Sequence, residues 1–213
     1  MKEFLKKYGK WFIVAILLFI FAFITHELLK DQLKGFDTAI YNFIISIKSP
    51  FITQIFKGIT FFASPVFLII LSILLFFIFK NKKYGLLSLM NLIVVTFINQ
   101  ALKFTFTRPR PFEWMLIQES GYSFPSGHAM VSLGFYGMLI FLIWQTNISK
   151  NKKTIWTIVL TILVILIGIS RIYLGVHYAS DIIGGFTLSL SYLIVATSLV
   201  IYYLKYKHSK QSE

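Results

Sequence analysis

The chain has no cysteine. That excludes a disulfide framework, a thiolate nucleophile and a cysteine-based metal site, and it leaves the redox compartment unconstrained. Charge is scarce as well. Only 14% of the 213 residues are charged while 57% are hydrophobic, a balance that excludes an ordinary soluble domain, whose surface needs far more charge. The chain belongs in a bilayer. Acids are fewer than bases, eight against 21, giving a net charge of +13. The lysines gather at the ends of apolar blocks and form no stripe with interleaved aromatics, so the implied partner is not nucleic acid and most of the charge is topology signal. No internal repeat and no low-complexity segment is present, and the chain, 1–213, reads as one membrane domain.

What the sequence does have is long apolar runs. Lys2, Lys6, Lys7 and Lys10 precede a block from Trp11 to about Leu29, long enough to cross the hydrocarbon core. No small-x-small cleavage site follows it, so it reads as an uncleaved first span, with His26 and Glu27 as an interfacial polar rim. From Asp31 to Pro50 the pattern changes: Phe36, Ile40, Phe43, Ile44 and Ile47 recur at helical spacing among Asp37, Asn42, Ser46 and Lys48, the mark of an amphipathic helix lying in the membrane surface. Phe51 to Ala63 reads as a shorter segment packed with that helix, either as core or as the rim of a lateral lipid entrance. Further spans run from about Ser64 to Phe79, with Pro65 in the first turn, and from about Tyr84 to Leu102, Ser126 to Trp144, Thr154 to Ile172 and Ala179 to Tyr203. Asn91, Asn99 and Gln100 are expected to face other helices, because lipid offers them no partner. The expected fold is all-α: a six-transmembrane-helix bundle with an interfacial amphipathic helix between spans one and two.

Lysines cluster at the N-terminus, after span two (Lys80, Lys82, Lys83), after span four (Lys150, Lys152, Lys153) and after span six (Lys205, Lys207, Lys210). With six spans these positions share one side, which the positive-inside rule makes cytoplasmic together with both termini. Lys30, Lys34, Lys48 and Lys57 run against the rule, but Glu27, Asp31 and Asp37 lie among them. The turns after spans three and five then face outward from a multi-pass protein of the cell membrane. Three polar pieces meet on that face: Lys103 with the loop to Arg110, the turn Pro125-Ser126-Gly127-His128, and Ser170 to Asp181.

Arginine occurs at three places, Arg108, Arg110 and Arg171, all near these pieces, while every other fixed positive charge is lysine. That choice suits a need for planar, bidentate donors. Ser126 and Gly127 stand where a helix begins, so their backbone N–H groups are unpaired by the helix and attract an anion; a Ser-Gly turn before a helix is also simply a cap. His128 lies on the first turn, in reach of such an anion. His177 and Asp181, four apart, share one helix face, so the carboxylate can hold one ring N–H and leave the other nitrogen free. That pair is either an oriented nucleophile on a water-facing turn or a structural pair closing it. Lys103, Arg110 and Arg171 taken singly are compatible with interfacial snorkelling. Taken together with two histidines and a helix N-terminus, they suit a tetrahedral, multiply charged anion, phosphate. His177 and Asp181 are also metal-ligand types, but cations would fill the pocket and no third ligand has metal-site spacing.

Lys103, six residues, then Arg110-Pro111; Tyr122-Ser123-Phe124-Pro125-Ser126-Gly127-His128; and Ser170-Arg171, five residues, His177, three residues, Asp181 together resemble the three signature motifs of the type-2 phosphatidic-acid phosphatase superfamily. They occur in order over 103–181, and the spans around them resemble its membrane-embedded branch, whereas the residues before span three match only in general pattern. The resemblance implies that His177 attacks phosphorus to give a phosphohistidine, that Asp181 orients it, and that His128 protonates the leaving alkoxide and then deprotonates water. It implies that Lys103, Arg110, Ser126, Gly127 and Arg171 bind the phosphoryl oxygens. Arg108 lies outside the strict motif and reads as a secondary contact or a headgroup anchor. The expected function is an integral-membrane lipid phosphatase that needs no metal or other cofactor. Its substrates would come from phosphatidylglycerol phosphate, undecaprenyl pyrophosphate and phosphatidic acid. A lipid-linked phosphotransferase with the same site, and a non-catalytic phospholipid-binding or transport protein, are the alternatives.

Overall fold

Short polar punctuation sets where each helix begins. The computed structural model describes residues 2–209, with side chains placed for 8–203, and among these residues the chain is all helical apart from turns and loops. Helix α1 (Lys2–Leu29) turns at Asp31, which adopts a left-handed φ of 56°, into α2 (Lys34–Ile45). Ser49 then caps α3 (Pro50–Phe61) by accepting from the Ile52 N–H, and Ser64 caps α4 (Pro65–Ile78) by accepting from the Phe67 N–H. In both, a proline occupies the first helical position, where its missing N–H costs no hydrogen bond. Asn81 caps α5 (Lys82–Phe106), and Ser126 caps α6 (Gly127–Trp144); α7 (Lys150–Tyr173) and α8 (Ala179–Ser209) follow.

Five of these helices, α1, α5, α6, α7 and α8, are long and apolar enough to cross a membrane, and α3 with α4 makes a sixth candidate bent by 47°. This changes the expected second span. The run from Ser64 to Phe79 becomes an α4 of 14 residues, about 21 Å at 1.5 Å per residue, too short for a core of about 30 Å. The segment before it, α3, packs with α2 as expected, Ile52 and Phe56 clustering with Ile44 and Ile45, and it also adjoins α4 across a bend of 47°.

Helix α6 is the hub: α5, α7 and α8 pack on it, α1 packs on α8, and α4 on α5. Phe135, Tyr136 and Leu139 of α6 meet Leu160, Val164 and Ile167 of α7 in the main buried cluster. Asn91, a polar residue inside the bundle, finds partners as the hydrocarbon requires. The Asn91 amide donates to the Gly134 carbonyl at 3.0 Å and its oxygen accepts from the Tyr192 hydroxyl at 2.9 Å. Asn99 is buried as expected, but Gln100 is exposed.

At one end of the bundle α2 packs on α7 and α8, and α3 packs on α7. Ile40, Tyr41 and Ile44 of α2 pack with Ile172, Ala179 and Ile182. The loop 107–125 closes over the same end: a 3-10 turn, Phe112–Trp114, sets Trp114 parallel to Tyr41 with ring centroids 4.2 Å apart. It also presses its carbonyl onto Gly175, where φ is +68° and an added Cβ would lie 1.8 Å from Trp114 O. No L side chain fits there.

Candidate active site

The three polar pieces converge at that covered end. Lys103 stands in the last turn of α5, which stops because Thr107 adopts a left-handed φ of 46° ahead of Arg108-Pro109. Its ammonium is 8% exposed and donates to the carbonyls of Tyr122 and Ser123. Arg110, on the following loop, donates to the carbonyls of Ser120, Gly121 and Val176 and to His177 Nε2 at 3.1 Å. A guanidinium offers no acceptor, so Nε2 must accept, and the ring proton resides on Nδ1. The Asp181 Oδ2 carboxylate oxygen lies 3.2 Å from Nδ1 and accepts that proton's hydrogen bond. One tautomer is thus set from both sides.

His177 was expected on a water-facing turn but is 1% exposed. Burial pushes its pKa well below the ordinary value, and the nearby positive charges of Arg110, Arg171 and Lys103 push it the same way. The imidazole is therefore neutral near pH 7, as a nucleophile needs. Asp181, at 0% exposure, also accepts from the Tyr178 N–H with Oδ2. Arg171, at 1%, donates to the Thr60 hydroxyl and pairs with Glu119, while its Nε is a buried donor with no acceptor among the described residues.

Lys103, Arg110, Gly127, His128 and His177 line one cavity of about 260 Å³. Ser126, Arg171 and Asp181 are not on its lining and stand behind it. The Ser126 hydroxyl accepts from the Ala129 N–H at 3.4 Å as the cap of α6, so its lone pairs serve the helix and its own O–H stays available. Gly127 packs against Asn99: a Cβ there would come 3.1 Å from Asn99 Oδ1. His128 shares the cavity lining with Lys103, Arg110 and His177. Ala63, Pro65, Leu68 and Ile69 of the broken span form the apolar side of the cavity opposite Leu92, Thr96, Asn99 and Gln100 of α5, and Ile69 and Gln100 are exposed at its rim. Such a shape, cationic at the back and greasy at the mouth, admits an anionic headgroup with its tail still outside.

Arg108, Asp37 and Glu119 make ion pairs beside the cavity. Of the two roles read for Arg108, the contacts fit the secondary contact: Nη1 donates to Asp181 Oδ1 at 2.5 Å and Nη2 to Asp37 Oδ2 at 2.8 Å. Burial works against its charge, yet the Asp181 and Asp37 carboxylates outweigh that and hold it above its ordinary pKa. Asp37, read as a surface residue of the amphipathic helix, is 0% exposed. Its spacing to Ile40, Tyr41 and Ile44 puts it on the apolar face, a signal present in the sequence. Glu119, on the loop before α6, ion-pairs with Arg171 and stands 3.9 Å from Arg110.

Fold and pocket together define a membrane-embedded phosphatase class. Residues 84–205 match the PAP2 superfamily, and the chain belongs to it, a family that includes membrane lipid phosphatases. It is 32% identical over 182 residues to phosphatidylglycerophosphatase B of Bacillus subtilis, covering 83% of this chain and 89% of that protein. It is 25% identical over 201 residues to an undecaprenyl-diphosphatase of Sulfolobus acidocaldarius, covering 90% and 92%. The crystal structure of a transmembrane PAP2-type phosphatidylglycerolphosphate phosphatase from Bacillus subtilis superimposes with a TM-score of 0.81 at 29% identity, over 89% of this chain and 96% of that one.

Proposed function

We propose that the chain hydrolyses a phosphate monoester or pyrophosphate carried by a membrane lipid, through a phosphohistidine formed on His177. The observation that carries this reading is the placement of His177 Nε2, on a buried ring whose other nitrogen faces Asp181, in the cavity that also holds His128 and Lys103. Arg110 shifts from Nε2 to a phosphoryl oxygen as substrate enters, which frees the lone pair. Nε2 then bonds to phosphorus as the P–O bond to the lipid breaks. His128 supplies a proton to the departing oxygen and later takes one from the water that releases inorganic phosphate. Lys103, Arg110 and Arg171, with the Ser126 O–H and the Gly127 N–H at the start of α6, stabilise the charge on the transferring group, while the Ser126 N–H, expected to be unpaired, is taken by the Asp181 carbonyl. The orphaned Arg171 Nε supports this role, since a phosphate oxygen would satisfy it. These cations supply the neutralisation that a divalent ion gives elsewhere, so the reaction is metal-independent.

The shape of the cavity and the relatives support a lipid phosphate as substrate, and phosphatidylglycerol phosphate, undecaprenyl pyrophosphate and phosphatidic acid are the lipids to present. The site faces outward, with both termini in the cytoplasm. Purified protein in detergent, offered this panel with EDTA, should release inorganic phosphate from at least one lipid at an undiminished rate. Activity lost to the chelator and restored by magnesium would defeat the mechanism, and transfer of the phosphate to an added alcohol in place of water would make the enzyme a phosphotransferase.

A further inference from the structure

We propose that Asp37 and Arg108 are positioning residues that hold the nucleophile His177 in register through Asp181. The inference rests on the reading of His177 as nucleophile, and it brings the interfacial helix α2, outside the matched residues 84–205, into the reaction.

The contacts form one unbroken line. His177 Nδ1 faces Asp181 Oδ2 at 3.2 Å, Asp181 Oδ1 accepts from Arg108 Nη1 at 2.5 Å, and Arg108 Nη2 donates to Asp37 Oδ2 at 2.8 Å. Asp37 is itself fixed: Oδ1 accepts from the Ser180 N–H and Oδ2 from the Ser180 hydroxyl, both at 2.8 Å. The Arg108 guanidinium also lies 3.9 Å from the centre of the Tyr178 ring, which fixes its plane. The side chains of Asp37 and Asp181 are 0% exposed and that of Arg108 is 10% exposed. Water therefore contributes little to orienting them, and the direct bonds decide.

Each member has a distinct task. A buried carboxylate with one free oxygen can rotate or take up a proton, and either event would release Nδ1 and let the imidazole swing. Arg108 occupies that second oxygen and keeps the group anionic. Without a counter-charge on its far side, the same guanidinium would be drawn toward the anionic substrate, because the neighbouring Arg110 lies on the cavity lining. Asp37 holds it back. Neither Asp37 nor Arg108 lines the cavity that contains His128 and His177, so their loss should act on turnover and not on substrate affinity.

The test is a comparison of kcat and KM for release of phosphate from a lipid phosphate by the full-length chain in detergent, with the thermal midpoint measured for each variant. Asp37→Asn and Arg108→Lys should each lower kcat about tenfold, the lower range for residues that orient another group, with KM within about twofold. Lysine keeps the charge but reaches only one carboxylate. Asp37→Asn introduced into Arg108→Ala should bring no further loss, because Asp37 acts only through the arginine. A purely structural pair would instead show additive losses that follow the thermal midpoint. Near wild-type kcat in a folded Arg108→Lys protein, additive losses, or a KM effect with kcat unchanged would overturn the proposal. If Asp37→Asn fails to fold, Arg108→Lys and Arg108→Ala decide. His177→Asn in the same assay separates the two claims: activity retained there defeats the nucleophile reading, whereas its loss beside an unaffected Arg108→Lys defeats only this one.

Discussion

The site has two walls built on different terms, and of the residues that make them His177, Lys103 and Arg110 reach the cavity. On one, His177, Asp181, Arg108 and Asp37 are buried and pair with one another through side chains. On the other, the cations Lys103, Arg110 and Arg171 point at carbonyl oxygens, a threonine hydroxyl and the carboxylate of Glu119, whose side chain is 28% exposed. The first wall is complete without a ligand. The second holds its charges on partners that a phosphate can replace, and one donor, Arg171 Nε, has none among the described residues. A nucleophile gains from being immobile before substrate arrives, while a binding cradle must have donors to give.

Breaking the first wall should cost most. His177→Asn should remove turnover by about six orders of magnitude, as loss of a nucleophile does, with the protein still folded by thermal melt. Retention of more than a hundredth of the activity would mean that the immobile wall does not carry the chemistry. Lys103→Ala or Arg171→Lys in the second wall should lower kcat by about a hundredfold, measured on the best lipid of the panel. An effect confined to KM would show that these cations hold the ground state only.

The contrast is sharpened by pH. Burial and the surrounding cations depress the His177 pKa, so in the free enzyme its protonation shuts off attack only well below pH 6.5. Arg110→Gln removes one of those cations, which makes the imidazolium less unfavourable. The acid limb of kcat/KM should therefore move to higher pH, and a shift to lower pH would mean that the cations do not set the basicity of the ring. The smallest effect belongs to Glu119→Gln. With the competing carboxylate neutralised, inorganic phosphate should inhibit several-fold more tightly, by about 1 kcal/mol; unchanged inhibition would mean that Glu119 leaves the cradle only at negligible cost.

Much of this was legible in the chain itself. Apolar runs and lysine clusters located most spans, and the spacing of Lys103 to Arg110-Pro111, of Ser126 to His128 and of His177 to Asp181 picked out the residues that the fold brings to one end. The break in the second span was harder to read, because Ser64-Pro65 is an equally good start for a whole helix and for half of one. The link from Arg108 to Asp37 was missed for a different reason. Their partners lie 71 and 73 residues away along the chain, and local pattern does not say which polar residue of an amphipathic helix turns inward. The spacing of Asp37 to Ile40 and Ile44 was the available clue, outweighed by the expectation that an acid on such a helix faces water.

One backbone contact ties the two histidines together. The Ser126 N–H donates to the carbonyl of Asp181 at 3.1 Å, and Gly185 lets α8 come close enough that a Cβ there would lie 3.1 Å from the Ser126 carbonyl. The peptide that launches the helix bearing one imidazole thus hangs from the residue that steers the other. If the surrounding lipid thins or thickens and the long helices tilt to follow, both rings travel with the same joint, and the spacing between the two imidazoles is conserved.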